Sequence, residues 1–219
     1  MPEKIPSSAR WYLPVFFLWM SGLMVFSLVE GVFSTPYFQS GHPRATDFND
    51  RFSTPNTYYA AARDLVNGIA EGKIPSSEQR ENRRQAIAYL ETSLQHRPRN
   101  AYAWHLKASQ ELALGHLDAA THSWRTSNRL ALYDVSLTVP RLQIATRLWR
   151  QLTSDDHQQM YKQIRAAWQI RRGHTQLVIA SLESSKRRRI IRTALKDMPD
   201  ALSDYQTQVQ DYRNRRRRN

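Results

Sequence analysis

Seven histidines, His42, His96, His105, His116, His122, His157 and His174, and the adjacent pair Asp155 and Asp156 are the residues best suited to metal, acid or base chemistry. No two histidines stand three or four residues apart, the spacing that would place two metal ligands on one helix face. Surface or capping roles are therefore expected for them. Asp155 and Asp156 follow Ser154 just before a helix-length segment, where carboxylates answer the unpaired N–H groups and positive end of a helix. The chain has no cysteine, which removes disulfides, thiolate zinc sites and cysteine nucleophiles. It also lacks a nucleophile elbow, a glycine-rich phosphate loop, an HExxH pair and calcium-loop spacing. The expectation is a protein that is not an enzyme and needs no cofactor and no metal.

What the sequence does concentrate is positive charge. Lysine and arginine number 32 against 19 acidic residues, a formal net charge of +13 over 219 residues, and the sequence pI is near 10.4. Two clusters carry much of it: Lys186, Arg187, Arg188, Arg189 and Arg192 in one helical segment, and Arg213, Arg215, Arg216, Arg217 and Arg218 at the end. Such a field suits an acidic partner, whether anionic lipid, nucleic acid or another polyanion. In the first cluster Ile190, Ile191 and Leu195 supply an apolar face, so the arginines also fit the solvent side of an ordinary amphipathic helix. The final run has no apolar residue to pack and reads as a solvated tail, 213–219. Nucleic acid is disfavoured, because no helix-turn-helix, zinc-finger or RNA-binding signature accompanies the charge.

The elements that must position these residues read as helices throughout, an all-α fold class. Trp11 to Val29 is a run without a charged residue, and at about 1.5 Å per residue it matches the hydrocarbon thickness of a bilayer. Residues 1–33 are accordingly expected to form a tail and one N-terminal transmembrane helix, with aromatic residues Trp11, Tyr12, Phe33 and Tyr37 near its ends. A cleaved secretory signal is the alternative, with Val32, Phe33 and Ser34 as a loose cleavage site. Lys4 and Arg10 before the run favour a cytoplasmic N-terminus and an extracytoplasmic remainder, as in a bacterial inner membrane protein. Residues 34–56, with Pro36, Pro43 and Pro55, read as a linker. Helical segments are then expected at 57–71, 77–96, 100–114, 117–131, 136–152, 155–171, 174–196 and 199–213. Ser76 and Ser77, Asn100, and Ser154 with its two aspartates are the start signals, Gly115 is a stop, and Pro199 begins the last helix. Trp149 and Trp168 lie on apolar faces and are expected in the core.

Between Ala86 and Leu132 the spacing resembles a tetratricopeptide repeat. Ala86, Leu90 and Pro98 match the second half of one unit, and Trp104, Ala108, Gly115, Leu117, Ala120 and Trp124 match the next. Lys107, Glu111, Ser127 and Leu132 depart from the family pattern. The resemblance implies antiparallel helical hairpins over 57–171 that stack on one another, followed by basic helices at 172–212. It also implies a partner-binding groove near Trp104, Lys107, Glu111 and Trp124, and no catalytic residues. The function expected is a membrane-anchored scaffold or adaptor that binds other proteins in a bacterial envelope assembly or export complex; the alternative is an electrostatic binder of anionic lipid or nucleic acid through Lys186, Arg187, Arg188, Arg189, Arg192, Arg215, Arg216, Arg217 and Arg218.

Overall fold

The computed structural model describes residues 54–218, and these are helical with short connections. Nine helices follow one another among the described residues: α1 (Pro55–Ala70), α2 (Ser76–His96), α3 (Ala101–Leu114), α4 (Leu117–Leu130), α5 (Val135–Leu148), α6 (Ser154–Trp168), α7 (Arg171–Glu183), α8 (Ser185–Leu195) and α9 (Pro199–Arg218). The described residues are thus all-α, as expected. The apolar run 11–29 and nearly all of the expected linker lie outside the described residues. Within them no helix is long and apolar enough to cross a membrane.

Local chemistry explains most helix ends. Thr54 and Thr57 bond each other reciprocally at the start of α1, and Pro55 sits at the first position, where its missing N–H costs nothing. The first helix therefore begins at Pro55, inside the expected linker. Asn100 Oδ1 accepts from the Tyr102 and Ala103 amides at 3.1 Å, and Gly115 closes α3 at φ 84°, a backbone conformation glycine adopts without strain. At α6 the cap is Thr153, one residue earlier than expected, with Asp156 returning a bond to the Thr153 amide at 2.8 Å. Ser76 and Ser77 do not cap α2; they lie within it, after Pro75.

Two expectations fail at the C-terminal end. The segment 174–196 is not one helix, because Ser184 adopts an extended conformation, ending α7 and capping α8 through its side chain to the Arg187 amide at 3.3 Å. The last helix does not stop at 213 but runs on to Arg218. Arginine is a good helix former, and cations at a helix C-terminus are stabilised by its negative dipole end, so no break is imposed there.

Packing is between neighbours. Each helix meets the next, and the odd-numbered helices also form a row in which α1 meets α3, α3 meets α5, α5 meets α7 and α7 meets α9. A smaller core joins α1, α2 and the start of α3 around Leu65, Ile69, Leu90 and Ala103. A larger one runs from Ala108 and Leu112 of α3 to Val209 of α9. It crosses the boundary expected between residues 171 and 172 without interruption, so the basic helices share the core of the helices before them.

The larger core is organised around a buried cation. Arg141 is 0 % exposed, and its guanidinium donates to the Ser127 carbonyl at 2.5 Å and the Ala131 carbonyl at 2.7 Å, adding charge-assisted bonds at the C-terminal end of α4 to the backbone amides that these carbonyls already accept from, both at 3.3 Å. It also reaches the Ser127 hydroxyl at 3.0 Å and Gln163 Oε1 of α6 at 3.3 Å. The Ser127 hydroxyl in turn donates to the Ala101 carbonyl of α3 at 2.8 Å, and the Trp124 indole N–H donates to the Arg141 carbonyl at 3.1 Å. Four helices are thereby tied at one point.

Two stability predictions follow from this packing. Arg141→Met removes the guanidinium's hydrogen bonds to Ser127, Ala131 and Gln163 and should cost about 3 kcal/mol, read as a lower denaturant midpoint; Arg141→Lys should recover only part of it, since an ammonium lacks the planar fork. At Gly173 an added Cβ would fall on the Ala167 carbonyl oxygen, well inside contact distance, and 2.8 Å from Val135 Cγ1. Gly173→Ala should therefore cost about 2 kcal/mol in spite of alanine's better helix propensity, and a variant with an unchanged melting temperature would contradict that packing.

Candidate anion-binding interface

The four residues expected to line a groove do not line one together. Trp104 is half-buried, donates its indole N–H to the Pro98 carbonyl at 2.8 Å and has Lys107 Nζ 5.6 Å from its ring centre. Lys107 pairs with Glu111 at 2.9 Å and with Glu91 of α2 at 3.2 Å. Burial works against its ammonium, but the two carboxylates outweigh that and raise its pKa. Glu111 is only 3 % exposed and Trp124 is 0 % exposed. These two are corrections to the expected groove: α3 and α4 pack closely, and that turns Glu111 and Trp124 inward, away from any partner.

The histidines divide by environment. His42 lies outside the described residues. His157 stacks on Trp149 with ring centres 3.9 Å apart, and His174 packs on Trp168 and lies 3.3 Å from Asp204. His105 departs from the expected surface role: burial, with the Arg141 charge acting in the same direction, pushes it down to about 4, and its Nδ1 has no hydrogen-bond partner. Asp156 holds a bidentate pair with Arg125 at 2.6–3.0 Å. Burial would raise its carboxyl, but Arg125 and Thr153 outweigh that and lower it, so it acts as cap and ion-pair partner. Among the described residues no group of three histidine or acidic side chains is placed to hold a metal ion.

The basic segment is built on a buried apolar strip, Ile190, Ile191, Ala194 and Leu195, as its sequence implies. Arg165 of α6 anchors its far end by donating to the Ala194 carbonyl at 3.1 Å. Arg189 and Arg192 are exposed, while Lys186, Arg187 and Arg188 are half-buried. Arg187 pairs with Glu183 at 2.9 Å. Arg188 and Arg192, four residues apart, lie on one face of α8, and α8 packs against α9. There Tyr205 is 1 % exposed, its ring edge-on to Trp168 at 5.7 Å between centres. Val209 is buried below it, and Tyr212 and Arg213 continue the same face, half-buried. Arg215 is exposed at the end of this helix.

Tyr205 and Arg213 were not evident as site residues from the sequence. Their signal was the spacing Tyr205, Val209, Tyr212 and Arg213, one face of the helix expected at 199–213. No family model, curated protein or solved structure matches the chain.

The lowered pKa of His105 fixes the sign of one pH effect. An unfolded histidine takes its proton near 6.5 and the folded one only near 4, so the unfolded state binds more protons in that interval and stability falls as pH drops through it. Denaturant midpoints should decline between about pH 6.5 and 4, and His105→Gln should flatten that part of the profile; an unchanged slope would assign it to other groups.

Proposed function

We propose that this chain is a membrane-tethered, non-catalytic helical scaffold whose docking surface is the arginine face of α8 and α9, and whose counterpart is an anionic bilayer surface. The apolar run 11–29 supports the tether. The stacked hairpins and the row of odd-numbered helices support a scaffold, in keeping with the tetratricopeptide resemblance. A peptide groove on α3 and α4 is less well supported, since Glu111 and Trp124 are buried.

One observation carries the choice of surface. In α9 the charges follow the helix dipole, with Asp200 in the first turn and arginines at the C-terminal end. In α8 they oppose it: Lys186, Arg187 and Arg188 occupy the first turn, where the dipole is already positive, and among the described residues the Glu183 carboxylate offsets Arg187 alone. Cations at that end cost roughly 0.3–1 kcal/mol each. The opposing arrangement intensifies a positive field at one point, which favours binding an anion and disfavours the isolated helix.

The full chain, reconstituted in zwitterionic nanodiscs, should be captured by vesicles containing phosphatidylglycerol at low salt and released at high salt. Each basic side chain near an anionic surface contributes about 1 kcal/mol, so Lys186→Gln with Arg189→Gln should weaken capture about thirtyfold. Equal capture on phosphatidylcholine vesicles would overturn the reading.

A further inference from the structure

Contacts across the row of odd-numbered helices bring the starts of those helices to one edge of the protein. The Ser93 hydroxyl near the end of α2 donates to the Pro55 carbonyl at the start of α1 at 2.8 Å, and the Tyr102 hydroxyl at the start of α3 donates to Asp134 Oδ2, the cap of α5, at 2.6 Å. Val135, the first residue of α5, crowds Gly173 in the first turn of α7. His174 of that turn lies 3.3 Å from Asp204 near the start of α9. Trp168, Met198 and Pro199 line an open cleft of about 420 Å³ between the end of α6 and the start of α9. Along this edge lie three of the five large hydrophobic residues that are exposed among the described residues, Tyr102, Tyr133 and Ile170, and Tyr133, at 62 %, is the barest of them. Interleaved with them in and beside the same turns are the exposed cations Arg97, Arg99, Arg129 and Lys196. Thr54, the cap of α1, is on this edge as well, so the apolar run 11–29 leads into the fold where hydrophobic side chains lie bare.

Resting on the tether of the proposed function, we infer that this edge docks on the bilayer that holds residues 11–29, with Tyr102, Tyr133 and Ile170 seated in its headgroup region. Amphipathic tyrosine rings favour that region, and exposed lysine and arginine side chains beside them reach lipid phosphates while their stems stay on apolar surface. Three side chains make a weak contact by themselves, but a tether holds the edge at high effective concentration against its own bilayer. The other two exposed hydrophobics do not share the edge: Leu117 begins α4 at the opposite end of the α3–α4 hairpin, and Ile179 lies in the middle of α7. The basic clusters are also at the far end, since α7 and α9 start on the docking edge and run away from it, so that α8 begins, and α9 ends, on the opposite side. Docking therefore turns the arginine face away from the tether's bilayer and toward a second surface.

The chain has no cysteine, so Tyr133→Cys, Ile170→Cys and, as the opposite-edge control, Leu117→Cys each accept a single environment-sensitive fluorophore. Each full-length variant is placed in phosphatidylcholine nanodiscs, one copy per disc, with lipids that either carry or lack bromine near the top of their acyl chains. Labels at 133 and 170, held at the headgroup and acyl boundary, should lose about half of their emission on bromination, and the label at 117 should lose none. Adding Ile170→Asp to Tyr133→Cys should relieve the quenching at 133. Absence of quenching at 133 and 170, or equal quenching at all three positions, would overturn the docking edge. So would a blue shift at 133 that bromine does not quench and that arises only in discs with two copies, which would assign the edge to a second chain. Capture of the same discs by phosphatidylglycerol vesicles reads the arginine face separately: its loss with quenching at 133 and 170 intact would sink the surface reading alone. A chain that does not stay with the discs would overturn the tether and this inference together.

Discussion

The buried guanidinium of Arg141 sets the geometry of the larger core. The end of α4 packs against α5, where the carbonyls of Ser127 and Ala131 accept side-chain donors in addition to backbone amides. Arg141 supplies a planar fork of donors to the Ser127 and Ala131 carbonyls, and through Ser127 and Gln163 it fixes α3 and α6 as well. Desolvation lowers its pKa to about 10, with the more distant Asp134 and Tyr102 acting in the opposite sense, so it remains charged at neutral pH. The same positive charge helps to keep His105 neutral beside it. Arg165 repeats the device on a smaller scale at the Ala194 carbonyl of α8. Arginine therefore has two uses in this chain: inside, it completes helix ends, and outside, it forms a field.

That second use depends on the first. The face of α8 and α9 is held in place by apolar contacts that belong to the larger core, and α8 is pinned at its C-terminal end by Arg165. The arginines are thus presented on packed helices, and an anion docking there, as proposed, would meet a largely preformed arrangement. Preformed sites avoid much of the ordering cost that a mobile basic tail would incur on binding.

Helix positions were legible where local chemistry decides them. Asn100, Gly115 and Pro199 mark boundaries that the structure keeps, because a cap, a left-handed turn and a fixed φ are properties of single residues and their neighbours. The break at Ser184 was not legible, since nothing in Leu182–Lys186 forbids helix and the corner is imposed by the packing of α8 on the core. The orientation of Trp124 and Glu111 was missed for a similar reason. A repeat-like spacing specifies which residues face a neighbouring helix but does not say whether a further helix then covers them. The arginine clusters were plain in the sequence, but which of their side chains are exposed and which half-buried depends on how α8 and α9 pack on the core.

Helix α3 belongs to both cores, with Ala103 in the smaller and Ala108 and Leu112 in the larger. Mechanically, the two halves are elements in series, and this fourteen-residue helix is the joint between them. Three of its buried residues, Ala101, Ala103 and Ala108, are alanines, whose small side chains let backbones approach closely and leave little room for sliding. A pull or tilt imposed at the C-terminal helices by attachment to a surface would therefore be transmitted toward the N-terminal end of the chain as a rotation of the whole, with little of it absorbed by bending in between.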